Sequence, residues 1–237
     1  MGKALNDYAM IKPGDRIAVG LSGGKDSWAL LWLLTDLQRR APVRFELFPV
    51  HIDPGFEGGA AEAIGRYSRQ MGYKVRIEYT DDGPVAHRDG NSENPCFLCS
   101  RLRRRRLFNI TEELGCCKLA LAHNKDDLIE TFFLNICYAG ETGTMLPLQP
   151  LFQGRFCIIR PLAYADEAAL HRFALETGCP VKENSCPSAG RSTRSTIKKM
   201  LHQLYLSNNK VRGNIFRAMH RIKVDYLPKH AGTFDQG

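Results

Sequence analysis

The stretch that decides the fold reads Arg16-Ile-Ala-Val-Gly-Leu-Ser-Gly-Gly-Lys-Asp-Ser-Trp-Ala-Leu-Leu-Trp-Leu-Leu34. Its apolar start, Arg16–Leu21, is typical of a buried strand, and its apolar end, Trp28–Leu34, of a helix. Between them, Ser22–Ser27 (SGGKDS) contains two glycines, which let the backbone approach an anion closely and adopt positive φ. Backbone N–H groups at such a strand–turn–helix junction bind phosphate, and Lys25 adds a positive charge. The stretch therefore predicts a phosphate-binding turn.

Two common nucleotide-binding motifs do not fit this turn. The Rossmann GxGxxG is absent, and the Walker loop GxxxxGK[ST] lacks its first glycine at the required spacing before Lys25, which Asp26 follows. The turn resembles instead the SGGxDS motif of the PP-loop ATP pyrophosphatases, which cleave ATP to AMP and pyrophosphate while adenylating a substrate. A plain glycine turn is the alternative. The resemblance implies an ATP site formed by Ser22, Gly23, Gly24, Lys25, Asp26 and Ser27.

Strand and helix candidates alternate along most of the chain. Strands are predicted at Arg16–Leu21, Phe45–Ile52, Lys74–Tyr79, Lys118–His123 and Phe156–Arg160. Helices are predicted at Asp26–Arg40, Glu57–Gly72, Phe97–Leu114, Asp126–Tyr138 and Asp166–Gly178. This alternation is typical of an α/β fold with a doubly wound, mostly parallel five-stranded sheet. Long loops are predicted at Thr80–Pro95, Gly140–Gly154 and Pro180–Thr193, followed by two basic helical segments at about Arg194–Ser207 and Val211–Val224.

The net charge of +8 on the 237 residues is concentrated near the C-terminus. Residues 1–186 contain 23 Lys or Arg and 23 Asp or Glu, whereas residues 187–237 contain 10 basic residues and two acidic ones. A compact basic segment indicates a nucleic-acid partner, and a solvated helical face is the alternative. We therefore predict an ATP pyrophosphatase domain at 1–180, a basic helical extension at 181–230 and a tail at 231–237.

Polar residues stand at the ends of three predicted strands. In doubly wound sheets, ligands bind outside the carboxyl ends of the strands, so Ser22, Asp53 and His123 are expected to converge on one crevice. His51 and Asp53 lie where related folds hold the adenosine moiety. For His51, an ordinary strand-end histidine is the alternative. We therefore expect His51, Asp53 and His123 to contribute to nucleotide binding.

Three carboxylates are candidates for holding Mg²⁺ beside a polyphosphate. Asp126 and Asp127 open the helix that follows His123, where capping of the helix is the alternative role. Asp26 lies inside the SGGKDS turn. Carboxylate oxygens are the protein ligands that Mg²⁺ accepts next to phosphates. We predict Asp26 with Asp126 or Asp127 as the magnesium ligands.

Eight cysteines in a chain whose N-terminal residues show no signal-peptide pattern favour free thiols or a metal site over disulfides. The longest apolar run, Trp28–Leu34, is too short to span a membrane. We therefore expect a cytoplasmic protein with no membrane partner. Five of the cysteines are interpreted as structural residues: Cys116, Cys117, Cys137, Cys157 and Cys179.

The other three cysteines suggest a metal site. Cys96-Phe-Leu-Cys99 at a helix start is typical of a redox pair, half of a zinc site or part of an iron–sulfur site. No second CxxC is present to complete a zinc site. Cys186 is a distant third thiol, and three thiolates can hold a [4Fe–4S] cube and leave one iron open.

Directly after Cys99, Ser100-Arg-Leu-Arg-Arg-Arg-Arg106 contains five arginines in six positions. Such a helix face repels itself unless an anionic partner is present. Arginine forks match the geometry of phosphate, so this run is expected to contact an RNA backbone or ATP.

Together these features resemble the tRNA 2-thiocytidine synthetase family over about residues 5–230. The matching elements are Ser22–Ser27, Cys96-x-x-Cys99-Ser-Arg-Leu-Arg103, Leu114-Gly115, Ala120-Leu-Ala-His123-x-x-Asp126-Asp127, Phe133-Leu-Asn135, Ile159-Arg-Pro-Leu-Ala163 and the position of Cys186. The chain departs from the family in having Asn124-Lys125 where His-Arg is common. Of the usual Cys-x-x-Cys pair around Cys186, it keeps only the second cysteine.

The resemblance implies an ATP-dependent tRNA sulfurtransferase acting on C2 of a cytidine in the anticodon loop, cytidine 32. It implies ATP, Mg²⁺ and a [4Fe–4S] cluster held by Cys96, Cys99 and Cys186. Implied partners are tRNA and a sulfur donor system such as a cysteine desulfurase, and a homodimer is an open alternative to a monomer. The implied catalytic residues are Lys25, Asp26, Arg103, Asp126 and Asp127.

Four other functions remain open from the sequence. A 2-thiouridine-type thiolase or a nucleoside ligase could use the same ATP turn, and the ligase would need no cluster. A cluster-bearing, RNA-binding redox sensor is not an enzyme, and the intact SGGKDS turn speaks against it. A sulfonucleotide reductase would need a cysteine near the C-terminus, and none follows Cys186.

Overall fold

The computed structural model describes residues 1–88, 91–181, 186–187 and 193–226. The predicted tail and most of the predicted loop Pro180–Thr193 lie outside these residues. The described chain forms one six-stranded sheet with the order β3-β2-β1-β4-β6-β5. Its strands are β1 Arg16–Leu21, β2 Glu46–Asp53, β3 Arg76–Tyr79, β4 Lys118–Ala120, β5 Leu148–Leu151 and β6 Phe156–Ile159. All neighbouring strands run parallel except β5, which is antiparallel to β6. The mostly parallel, doubly wound sheet is confirmed.

The prediction of five strands is wrong by one, because β5 lies inside the predicted loop Gly140–Gly154. Pro150 interrupts the strand pattern in the sequence, since proline donates no hydrogen bond to a ladder. Among the described strands β5 forms the edge of the sheet and pairs only with β6, so its other side needs no donor. The predicted loop Thr80–Pro95 also contains a short helix, Asp82–Ala86.

The described helices cover both faces of the sheet. They are α1 Gly2–Asp7, α2 Lys25–Arg40, α3 Ala61–Gln70, α4 Asp82–Ala86, α5 Pro95–Glu113, α6 Lys125–Leu134, α7 Glu167–Thr177, α8 Thr193–Ser207 and α9 Val211–Ala218. Alternation along β1 assigns the faces: Ile17 and Val19 pack in the core with α2, α3 and α7, and Ala18 packs in the core with α5. Helix α5 thus lies alone among these four on the second face.

The basic C-terminal helices pack on the sheet domain through α6. Ile129 of α6 forms a buried cluster with Ile197 and Leu201 of α8. A single π-helical turn, Asn135–Ala139, continues α6. Within the described residues, no helix combines the length and the apolar character needed to cross a membrane.

Candidate active site

A cavity of about 660 Å³ opens where the strand order reverses. The strands β2 and β3 lie on one side of β1 in the sheet, and β4 and β6 lie on the other side. The connections to these two sides diverge at this point and leave a crevice beyond the carboxyl ends of β1 and β4. The SGGKDS turn, the segment Leu121–His123 and arginines of α5 line this nucleotide cavity.

The turn after β1 is held in shape by its own serines. Ser22 N–H donates to Ser27 Oγ at 3.2 Å, and Ser27 Oγ–H donates to the Gly24 carbonyl at 2.8 Å. Gly24 N–H donates to Ser22 Oγ at 3.3 Å. Gly23 has φ +85°, and a Cβ there would stand 3.0 Å from Ala60 Cβ. Glycine is therefore required at position 23 by both the backbone conformation and the close packing against α3.

Lys25 lines the cavity, and its ammonium group is paired with carboxylates there. Its Nζ stands 3.1 Å from Glu167 Oε1 and 3.5 Å from Asp26 Oδ2. Burial lowers the pKa of Lys25, but the carboxylates of Asp26 and Glu167 raise it more, so the ammonium group stays charged. Lys198 of α8 binds both oxygens of Glu167 at 2.9 Å. Glu167 thus links the turn to the C-terminal helices.

The adjacent carboxylates Asp126 and Asp127 have different surroundings. Asp126 Oδ2 accepts the Glu167 N–H at 2.8 Å, and its Oδ1 lies 3.1 Å from Arg212 Nε. Asp127 Oδ2 accepts the N–H of Asn124 at 2.9 Å in a capping box, and Asp127 also lines the nucleotide cavity. The structure therefore does not bring Asp126 to the cavity, because the N-terminus of α7 and Arg212 engage its carboxylate.

Asp26 and Asp127 suit a divalent cation. Asp26 Oδ1 is buried and has no hydrogen-bond partner among the described residues. Burial raises the pKa of Asp26, and the charges of Asp127 and Glu167 raise it further, against the charge of Lys25. Burial also raises the pKa of Asp127. A cation between two desolvated carboxylates would compensate their charges, so this pair fits Mg²⁺.

His123 is a neutral hydrogen-bond donor in the wall of the cavity. Burial and the charge of Arg160 lower its pKa to about 3. Arg160 Nε donates to His123 Nδ1 at 3.3 Å, so the proton of the neutral ring is on Nε2. Arg160 is itself held by Leu146 O and the Gln149 side chain. The hairpin strand β5 thereby fixes the tautomer of His123.

Two residues expected at the nucleotide are not brought to it. His51 and Asp53 are both buried, but Val50 and Ile52 line the cavity in their place, since alternate residues of β2 face opposite sides of the sheet. His51 Nδ1 bonds the Leu21 carbonyl at 2.8 Å, and burial lowers its pKa. Asp53 accepts the Gly55 N–H at 2.9 Å and shapes the turn after β2.

Of the three predicted cluster cysteines, Cys99 directly precedes Ser100, which lines the nucleotide cavity. Burial raises the pKa of Cys99, the charge of Arg103 lowers it, and the charges of Cys186 and Cys96 raise it further. Cys186 Sγ stands 3.7 Å from His87 Nε2. In the described part of the chain, no three Cys, His, Asp or Glu side chains are arranged as a metal-ion site. Cysteine thiols are the kind of ligand that an iron–sulfur cluster takes, and the assignment of these three cysteines to a cluster stays a prediction.

The arginine run divides into distinct roles. Arg103 and Arg104 line the nucleotide cavity. Arg106 forms a bidentate pair with Asp82 of α4, at 2.7 and 3.0 Å, and so fixes α5 against the preceding loop. Arg101 pairs with Glu93 at 3.1 Å.

Comparison with known proteins identifies the family. A family model described as a PP-loop domain matches residues 1–204. The tRNA-cytidine(32) 2-sulfurtransferase of Syntrophotalea carbinolica is 39% identical over 231 residues, which cover 95% of this chain and 88% of that protein. The enzyme of the same name from Geobacter sulfurreducens is 40% identical over 232 residues, covering 96% of this chain and 90% of that protein. The chain belongs to the tRNA-cytidine(32) 2-sulfurtransferase family of PP-loop proteins.

A solved structure of similar fold supports the architecture of the sheet and helices. The U34-tRNA thiolase NcsA from Methanococcus maripaludis, solved with its [4Fe–4S] cluster, superposes with a TM-score of 0.75 at 22% identity. The match covers 96% of this chain and 78% of NcsA. The predicted resemblance to the 2-thiocytidine branch and the predicted fold class are both confirmed.

Arg194 and Glu167 are two parts of this PP-loop site that the sequence analysis did not single out. Arg194, the second residue of α8, lines the cavity and lies 3.4 Å from both Asp127 Oδ1 and Glu130 Oε2. Glu167 begins α7 and pairs with Lys25. Neither stands in a motif, and both reach the site only through tertiary packing. In the sequence, only the position of Arg194 as a cation at the start of a basic helical segment indicates a role at the site.

Proposed function

We propose that this PP-loop protein is an ATP-dependent tRNA sulfurtransferase that replaces the C2 oxygen of cytidine 32 with sulfur. The observation that carries the proposal is the meeting of the SGGKDS turn, Asp127 and two arginines of α5 at one cavity, whose lining also includes Ser100, the residue after Cys99. The roughly 40% identity to tRNA-cytidine(32) 2-sulfurtransferases over nearly the whole chain supports the same substrate.

The turn and its neighbours prepare the base for substitution. The backbone N–H groups of Ser22–Ser27 and the N-terminus of α2 bind the pyrophosphate part of ATP. The C2 oxygen of the cytidine attacks the α-phosphate, pyrophosphate leaves, and the oxygen becomes part of a good leaving group. Lys25 and Arg194 neutralise charge that develops on the phosphates. Replacement of the adenylated oxygen by sulfur then releases AMP.

Asp26 and Asp127 would hold Mg²⁺, which would neutralise negative charge on the phosphate oxygens and so reduce their repulsion of the attacking C2 oxygen. Cys96, Cys99 and Cys186 would hold the [4Fe–4S] cluster, which would supply the site for the transferred sulfur. Arg103 and Arg104, which line the cavity, hold the RNA strand there. His123 keeps its Nε2–H as a fixed donor toward the substrate.

The remaining expectations belong to the same proposal. An unpaired loop nucleotide reaches the cavity at low cost because it need not leave a base pair. A tRNA substrate assigns the reaction to the cytoplasm. A cysteine desulfurase as sulfur source and a homodimer stay predictions, as does the division at residue 180.

The test is thiolation of tRNA taken from cells that lack 2-thiocytidine. The anaerobically reconstituted protein is incubated with this tRNA, ATP, Mg²⁺ and sulfide, and the nucleosides are analysed by mass spectrometry. We expect 2-thiocytidine together with AMP and pyrophosphate. The Cys99→Ser and Cys186→Ser variants should lose iron and at least 100-fold of the thiolation rate while still binding ATP.

Cys137→Ser is the matched control, since Cys137 is an exposed thiol on the π-helical turn after α6. It should keep both iron and activity. Unchanged thiolation in Cys186→Ser would refute the role of the cluster. Pyrophosphate release with a sulfur-free nucleoside product would indicate a ligase instead.

A further inference from the structure

A second cavity, of about 800 Å³, lies between α5 and the turn that joins β5 to β6, and we call it the α5–hairpin groove. Its volume falls within the range of small-molecule pockets. Arg104 lines both this groove and the nucleotide cavity, so the two sites adjoin along α5. From Arg104 to Glu112 the helix rises roughly 12 Å, about the length of three or four stacked nucleotides of one strand.

The groove is strongly basic. Its charged lining residues are Arg101, Arg104, Arg105, Arg155 and Glu112. In the described ranges, neither Arg104 nor Arg105 forms an ion pair with a carboxylate, in contrast to Arg106, which Asp82 holds. These two guanidinium groups are therefore available to an anionic partner, and their fork geometry suits phosphate.

An aromatic cluster faces these arginines. The rings of Phe108, Phe152 and Phe156 meet edge to face, with centroids 5.0 to 6.5 Å apart. Phe156 is buried, whereas Phe152 is 59% exposed and leaves a ring uncovered in the wall of the groove. Bases stack on such rings, and this contact adds affinity without requiring a particular sequence.

The turn presents Phe152 at a conformational cost. Phe152 and Gln153 have φ of +50° and +60°, a region that bulky residues rarely adopt. Arg155 Nε donates to the Phe152 carbonyl at 3.4 Å within the same turn. Backbone strain of this kind is concentrated at ligand clamps. The strain here holds an apolar ring at the surface, next to four arginines.

We propose that the α5–hairpin groove binds the tRNA strand that flanks the target nucleotide, with one base stacked on Phe152 and its phosphates on Arg104 and Arg105. The inference rests on the proposed tRNA substrate and adds a contact outside the nucleotide cavity. A strand leaving the cavity meets Arg104 first and then the groove. The mixture of guanidinium groups and an uncovered ring favours RNA over an acidic protein, whose carboxylates would leave Phe152 without a partner.

The test measures the affinity of the full-length protein for fluorescently labelled tRNA over a range of salt concentrations. Phe152→Leu keeps an apolar side chain but removes the ring, and it should weaken binding about tenfold without changing the salt dependence. Arg105→Ala should weaken binding and reduce the slope of log K against log salt by about one. Leu175→Ala and Arg172→Ala change exposed residues of α7, on the opposite face of the sheet, and should leave both quantities unchanged.

Phe152→Leu and Arg105→Ala variants that bind tRNA like the unmodified protein would overturn the inference. If Phe152→Leu kept its affinity for tRNA and lost thiolation only with a cysteine desulfurase in place of sulfide, the groove would be a protein-docking site. The proposed function fails separately, by absence of 2-thiocytidine in the unmodified protein. Weakened tRNA binding by Phe152→Leu would support RNA binding in the α5–hairpin groove, whether or not the unmodified protein forms 2-thiocytidine.

Discussion

Two neighbouring aspartates illustrate how single residues divide the work at this site. Asp126 and Asp127 have the same chemistry and adjacent positions, yet Asp126 holds the N-terminus of α7 and Arg212 while Asp127 faces the nucleotide cavity. The cause is helical geometry: consecutive residues point about 100° apart, so only one of them can face the cavity.

Exchanging each carboxylate for its amide should therefore give different defects. Asp127→Asn should raise the Mg²⁺ concentration needed for half-maximal pyrophosphate release at least tenfold, because one of two cation ligands loses its charge. Asp126→Asn should keep the Mg²⁺ requirement and lower the free energy of unfolding by about 1–2 kcal/mol, since the Arg212 pair is lost. Magnesium titration and urea unfolding of both variants provide the measurement. An equal magnesium defect in both variants would contradict this division.

Local motifs made part of the site predictable from the sequence. The SGGKDS turn is a continuous stretch whose glycine and serine contacts are internal, so the residues themselves indicate its shape. The strand-end positions of His51 and Asp53 predict that they face the nucleotide, but a shift of one residue along β2 decides which face of the sheet a side chain takes. Arg194 lies about 170 residues from the turn, and no local pattern reports such a contact.

The interface between α6 and α8 contains an ionisable group whose state depends on pH. Burial and the charge of Asp127 raise the pKa of Glu130 to about 7. In the unfolded chain a glutamate ionises near pH 4.3. Between these two values the folded protein retains a proton that the unfolded chain has lost. The stabilising contribution is thus fully present below about pH 4.3 and is lost as the pH rises through 7.

Glu130→Gln should remove this dependence. As the pH rises from 5 to 8, the free energy of unfolding of the unmodified protein should fall relative to that of Glu130→Gln. Urea unfolding at several pH values measures it, with Glu176→Gln, an exposed position on α7, as the control. A difference that stays constant over this range would show that Glu130 ionises normally.

Secondary structure was predictable where the hydrophobic pattern was strong and local. The strands β1, β2 and β6 and the helices α2 and α5 lie within two residues of their predicted bounds, whereas β4 ends at Ala120 instead of the predicted His123. The pattern failed for β5, where Pro150 hides a strand that only the pairing with β6 creates. It also failed for α4, a single short turn of helix whose position depends on Asp82 pairing with Arg106 of the next helix.

For the molecule as a whole, the uneven charge distribution predicts how it holds RNA. Exposed basic residues of the C-terminal segment, such as Lys199, Lys210 and Arg221, face few acidic neighbours in the sequence. Changing all three to alanine should weaken tRNA binding at least tenfold and flatten its salt dependence by about two to three units of slope. Changing the exposed Arg66, Arg69 and Lys74 of the balanced region is the matched control. Similar losses in both triple variants would indicate attraction by net charge alone.

Because β1 lies between β2 and β4 in the sheet, the nucleotide cavity beyond β1 can form only after later segments of the chain have been synthesised. The nucleotide cavity takes its walls from segments as far apart as Ser22 and Arg194. During synthesis the phosphate-binding turn leaves the ribosome early, but β4 and then α8 must follow before the cavity is closed. A nascent chain therefore has no complete ATP pocket until translation has passed α8, and nucleotide binding cannot assist the earlier steps of its folding.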